Sequence, residues 1–169
     1  MKEALGLYTL QDMNDTESMA LLKRLIQSPD NPCFVCGPTN PHGLHVHLEP
    51  VDGGIEGRFT PDPWQQGWQR VIHGGILAAL LDEAMAYTLF MTGSMAVTVR
   101  MELRYRRAAH AGDELRVNAR IVRDSSRLVD VEGRILRDSV VLVEAAGRFM
   151  KRGPIASGAV LDATRDAAP

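Results

Sequence analysis

The stretch "VIHGGILAALLDEAM", residues 71–85, places one histidine, two glycines and two adjacent acids inside an otherwise apolar run. Its spacing predicts a helix opening at Gly74-Gly75 and ending near Met91, just before Thr92-Gly93. At 100° per residue, Ile76, Leu80, Glu83, Tyr87 and Phe90 share a bulky face, whereas Ala78, Ala79, Asp82 and Ala86 share a face of small side chains. Burying an unpaired carboxylate costs roughly several kcal/mol, so both acids need compensating contacts or a function. Asp82, flanked by alanines, has room for water, a ligand or another chain beside it. Glu83, among bulky groups, must be hydrogen-bonded, to His73 or a backbone group, or neutralised.

The glycine pair lets backbone N–H groups approach an anion closely, and the helix dipole adds positive potential there. His73 precedes Asp82 by nine residues, about 13 Å along a helix axis, too far for the two to work as a dyad within one chain. If they share a site, they come from different protomers; otherwise His73 only shapes its loop.

The elements that must position these residues are legible on either side. Asp15 or Thr16 caps a short amphipathic helix over 17–27, and "SPDNPCFVCGPTNPHG" stops it in a turn-rich lead-in. From Leu44 the period becomes two, and a hairpin turns at Asp52-Gly53-Gly54. "DPWQQGWQRV" reads as a loop. After the helix, Val97, Val99, Met101, Leu103 and Tyr105 alternate with Thr98, Arg100, Glu102, Arg104 and Arg106. Three more alternating runs follow, the last two separated by Arg137-Asp138-Ser139. The expected fold class is α+β: a curved antiparallel sheet of five to six strands, the last four in a meander, wrapped around one long central helix. The expected domains are an N-terminal helical extension over 1–30, a core over 31–152 and a flexible tail over 153–169.

A formal charge of −2 gives no global field for nucleic acid or an anionic membrane. The longest apolar stretch carries two acids, and the N-terminus lacks a signal-peptide layout, so the expected location is the cytoplasm. Two cysteines, Cys33 and Cys36, are too few for a stapled fold and read as reduced thiols.

"HGGILAALLDEAM", preceded by "QGW" and followed by "VTVRMELRYRRAA", resembles the hotdog-fold acyl-CoA thioesterases over roughly residues 33–152. The lead-in "CFVCGPTNPHGL" is similar to the subgroup that begins with a CxxCG-x-x-NPxGL segment. The resemblance implies that Asp82, not Glu83, acts on a thioester carbonyl, as general base or as nucleophile. It implies that the Gly74 N–H of a partner protomer polarises the thioester oxygen, with His73 and Gly75 beside it, and that Thr98 orients the water. Arg100 and Glu102 share the pleat face of Thr98, so a routine exposed strand threonine is the competing account. Many relatives carry Asn where this chain has Gly67; Gln66 is the candidate substitute.

The substrate would be acyl-CoA, with no separate cofactor because coenzyme A belongs to the substrate. Arg104, Arg106, Arg107, Lys151 and Arg152, with Gly75 and Glu83, are the candidates for holding it. Trp64, Trp68, Met85, Tyr87 and Met91 are candidates for lining an acyl pocket. The implied assembly is a homodimer or a dimer of dimers. No metal is expected; a zinc site would need Cys33 and Cys36 joined by residues such as His42, His45 or His47. The alternative function is a protein that binds acyl-CoA without hydrolysing it, and Asp82 argues against that, since binding alone needs no carboxylate beside the thioester.

Overall fold

The computed structural model describes residues 28–154. The helix expected over 17–27 lies outside the described residues, as does the tail beyond Pro154. Strands β1 (His47–Val51) and β2 (Gly54–Phe59) form the hairpin, turning through Gly53 at φ 76°. The Trp64 segment is more ordered than a loop: a 3-10 turn over Pro63–Gln65 leads into a two-stranded ribbon of β3 (Gln66–Trp68) and β4 (Val71–Ile72). Helix α1 (Gly74–Phe90) follows, then β5 (Ser94–Tyr105), β6 (Leu115–Asp124), β7 (Leu128–Arg137) and β8 (Val140–Pro154). The last strand thus absorbs Gly153 and Pro154, which the sequence had assigned to the tail.

The main sheet has six strands in the order β1-β2-β6-β7-β8-β5, and its pairs are antiparallel. The expected four-strand meander therefore covers only β6 to β8. Strand β5 pairs with β8 at the far edge, and β6 pairs with β2. Period-two alternation specifies which face a residue takes but not which strand lies beside it.

Helix α1 is buried on most sides. Leu77, Leu80, Leu81, Ala84, Met85 and Leu89 are inaccessible or nearly so, packed among Ile55, Val117, Val129, Val131, Ile135 and Phe149. Its alanine face, Ala78, Ala79, Asp82 and Ala86, is only partly covered. The helix approaches the sheet closely because two strand positions lack a side chain. A Cβ on Gly147 would meet Met85 Sδ at 3.1 Å and Phe149 Cε2 at 2.8 Å; one on Gly133 would meet Leu81 at 3.0 Å. Met85 can swing aside, but the wholly buried Phe149 ring cannot. Gly147→Ala should therefore destabilise the fold by about 1–3 kcal/mol through overpacking, read by chemical denaturation.

Candidate functional site

The helix start is assembled by the residues before it. His73 is the N-cap, and its Nδ1 accepts the Gly75 N–H at 2.9 Å, so a neutral imidazole carries its proton on Nε2. The His73 N–H donates to the Gln65 carbonyl at 2.9 Å, which anchors the cap to the 3-10 turn. Gln65 is buried, and its side-chain oxygen accepts the Asp62 N–H at 2.9 Å. Gly67 lies against the imidazole: a Cβ there would come within 3.1 Å of His73 Cδ2. The Gln66 amide donates back to the Pro63 carbonyl within its own turn. Tyr105, which the sequence reading treated only as a strand residue, donates its hydroxyl to the Gly74 carbonyl at 2.8 Å. The two residues are 31 positions apart, which left no local signal.

Asp82 and Thr98 are brought together. Thr98 Oγ1 donates to Asp82 Oδ1 at 2.8 Å. A bulge in β5 makes this possible, since the pairing with β8 slips between Thr98 and Arg100. One extra residue reverses the alternation. Ala96 before the bulge and Met101 and Leu103 after it pack against the core, while Val97 and Val99 stand 47% and 55% exposed. The expectation that Val97 and Val99 share a face with Met101 and that Thr98 sides with Arg100 and Glu102 is thereby corrected. Arg100 and Glu102 pair with each other at 3.3 Å, and Thr98 turns to the helix instead.

The cationic candidates separate into two groups. Arg104 is paired in register with Glu144, and Lys151 with Ala96. Those positions are eight residues apart along β5, about 25 Å. Lys151 binds Asp124 at 2.6 Å, and Arg106 binds Glu144 at 3.0 Å. Arg106 and Arg107 line an open cleft of about 380 Å³ shared with Val71, Gly74, Leu77 and Tyr105. A cationic wall and the helix start thus border one cavity. Arg152 is exposed. The proposed acyl-pocket residues do not converge within one chain: Met85 and Tyr87 are core, whereas Trp64 and Trp68 are exposed.

Glu83 does not meet His73. Its Oε1 accepts from Cys33 Sγ at 3.4 Å, and the Tyr87 hydroxyl lies 2.8 Å from Cys36 Sγ. Burial, with the neighbouring Cys33 and Asp82 charges adding to it, pushes the Glu83 carboxyl up to about 8. The hydrogen bond from Cys36 lowers the Cys33 thiol to about 5, and the same bond with burial raises Cys36. Burial raises Tyr87. The histidines that would complete a Cys2His2 site point elsewhere: His45 Nδ1 is bonded to the Gly37 carbonyl at 3.0 Å and His47 Nε2 to Glu49 at 3.1 Å.

The architecture is of the hotdog thioesterase type, and the sequence model of the thioesterase superfamily matches residues 69–144, from the loop before the helix to β8. None of the curated proteins matches the sequence. Among solved structures, a phenylacetic acid degradation-related protein of Ralstonia eutropha superposes with a TM-score of 0.65 at 24% identity, covering 77% of this chain and 98% of that one. The PaaI protein of the Escherichia coli phenylacetic acid degradation operon gives a TM-score of 0.63 at 22% identity, covering 66% and 82%. A hypothetical thioesterase of Streptococcus pneumoniae, solved with coenzyme A, gives 0.62 at 18% identity, covering 64% and 87%. That same protein has also been solved with an aspartate and with a threonine replaced by alanine, sixteen positions apart. No helix among the described residues is long and apolar enough to cross a membrane.

The cap makes a separable prediction. His73→Ala should cost about 0.5–2 kcal/mol of stability, whereas His73→Asn should stay within a few tenths of the parent, because Asn caps equally well. Thermal or denaturant unfolding of the two variants checks it.

Proposed function

We propose that the protein hydrolyses an acyl-CoA thioester to the free acid and CoA. The observation that carries this reading is the 2.8 Å Thr98–Asp82 hydrogen bond on the partly open alanine face of the helix. Asp82 and Thr98 are sixteen positions apart, the separation of the aspartate and threonine replaced in the Streptococcus pneumoniae protein. The superfamily match and the coenzyme A bound by that protein supply the reaction class.

In this reading Thr98 spends its proton on Asp82 and accepts a hydrogen bond from the attacking water through a lone pair. As general base, Asp82 takes a proton from that water as its oxygen bonds to the acyl carbon. The carbonyl electrons move to oxygen, where the Gly74 N–H of a partner's helix and its dipole receive them. Collapse of the tetrahedral intermediate breaks the C–S bond, and the leaving CoA thiolate takes the proton held by Asp82, which restores the carboxylate. As nucleophile, Asp82 would instead form a mixed anhydride that water then opens. One backbone oxyanion donor contributes about 3 kcal/mol to such a transition state.

Two chains are needed, because His73 and Gly74 lie about two and a half turns from Asp82 on one rigid helix. Pairing is supported by β5, an edge strand whose Val97 and Val99 are exposed on one face and whose Thr98 reaches the partly open alanine face on the other. A homodimer, alone or paired into a dimer of dimers, would close both. Arg106 and Arg107 line the cleft beside Gly74 and suit the CoA phosphates, Arg106 once it turns from Glu144.

Asp82→Asn should lower kcat for acyl-CoA hydrolysis by about 10²–10⁴-fold with CoA affinity retained. Full activity in that variant, measured by thiol release, would remove Asp82 from the mechanism, whereas a wild-type protein that binds acyl-CoA and releases no thiol would make binding without hydrolysis the better reading. Charge reversal at Arg106 and Arg107 should raise KM for acyl-CoA; an unchanged KM would remove these residues from the CoA site.

A further inference from the structure

The hydrolysis proposed for the Asp82 face leaves unused the neighbouring face of α1, about 100° round the helix, where a second constellation sits. Cys33, Cys36 and Glu83 each direct one donor atom to a common point, the three atoms lying within 4.8 Å of one another. Glu83 and Tyr87, one helical turn apart, present their oxygens side by side, Glu83 to Cys33 and Tyr87 to Cys36.

The turn that carries the cysteines is shaped to hold both sulfurs. The Val35 N–H donates to Cys33 Sγ at 3.3 Å, and the Asn31 amide donates to Cys36 Sγ at 3.2 Å. Asn31 Oδ1 accepts the Cys33 N–H at 3.0 Å, and the Gly37 N–H closes the turn on the Cys33 carbonyl at 2.9 Å. Gly37 admits no side chain: a Cβ would lie 2.4 Å from the Cys33 nitrogen and 2.5 Å from the Cys33 and Asn31 carbonyl oxygens. N–H donors aimed at sulfur favour thiolate over thiol, the form a metal takes. None of the ion pairs among the described residues reaches Glu83. Two sulfurs and a carboxylate therefore converge in a part-buried place without a cationic side chain paired to them.

We propose that Cys33, Cys36 and Glu83 bind a thiophilic divalent cation, zinc by preference, with the Tyr87 hydroxyl or a water as fourth ligand. Zn–S bonds of about 2.3 Å and Zn–O bonds of about 2.0 Å require donor atoms roughly 3.4–3.8 Å apart. The Cys33–Glu83 pair already stands at 3.4 Å and no pair of the three exceeds 4.8 Å, whereas the Tyr87 hydroxyl, 2.8 Å from Cys36 Sγ, would have to draw back to serve as the fourth ligand. Thiolates paired with a carboxylate on four-coordinate geometry select zinc over harder cations such as magnesium or calcium. The ion would be structural. It would pin the lead-in to the helix on the Glu83 side, leaving the alanine face with Asp82 to the thioester. Its ligand set differs from the one spacing suggested, since the third ligand comes from a helix 50 residues away and not from the nearby histidines.

The test uses the full chain purified with reductant from zinc-supplemented cells. Elemental analysis should give about one zinc per chain. Replacement by cobalt should give thiolate-to-metal charge-transfer bands in the near ultraviolet and tetrahedral ligand-field bands in the visible. Cys33→Ser should abolish those bands, and Glu83→Gln, with far-UV circular dichroism unchanged, should weaken zinc affinity by roughly tenfold or more. A reduced wild-type protein that holds neither zinc nor cobalt overturns the proposal, as does cobalt absorbance unaltered in both variants. A stable Cys33–Cys36 disulfide that reforms in the presence of excess zinc also overturns it, assigning the pair to thiol redox chemistry.

Discussion

Helix α1 carries two carboxylates through the middle of a hydrophobic core, and the rest of the molecule is arranged around that constraint. A charged group cannot be left among Leu80, Met85 and Leu89 without compensation. Two different solutions are used on two faces of one helix. Asp82 is left on a strip of alanines that is only partly covered and takes a hydrogen bond from Thr98. Glu83 is part-buried, and the CxxC turn is folded onto it.

The helix start is tied to the same elements. His73 caps it, the buried Gln65 turn holds His73, and Tyr105 on β5 holds the Gly74 carbonyl. Strand β5 therefore contacts α1 at its start, through Tyr105, and near its middle, through Thr98. The bulge between Thr98 and Arg100 makes both contacts possible while Met101 and Leu103 still reach the core. Because β5 is also the sheet edge, a partner that adds to this strand would border the site directly.

Much of the fold was legible because each strand alternates and the helix is apolar almost all round. The hairpin, the helix bounds and the strands from Leu115 onward follow from period alone. Strand order did not follow, since faces are local and neighbours are not. The bulge was invisible because Val97 and Val99 continue the apolar alternation that the structure breaks. At the candidate site, Asp82 stood out by the size of its neighbours, whereas Thr98 was singled out only by resemblance, as the residue that orients the water, and its direct bond to Asp82 was not foreseen. The partners of Glu83 and Gly74 lie 50 and 31 residues away, and no spacing rule reaches that far.

The central claim is that each active site combines Asp82 of one chain with the Gly74 N–H of another, and mixed dimers test it. Gly74→Pro deletes that donor at the first helical position, where proline's fixed φ is tolerated and the extended His73 backbone (ψ 130°) fits it; its Cβ would come within 3.3 Å of the Tyr105 hydroxyl, a contact the exposed ring can relieve by a small shift. Asp82→Asn and Gly74→Pro chains, each folded but inactive alone, should regain about a quarter of wild-type thioesterase activity when unfolded and refolded together in equal amounts, because half the dimers hold one intact site of two. Mixed dimers that form and remain inactive would contradict the account.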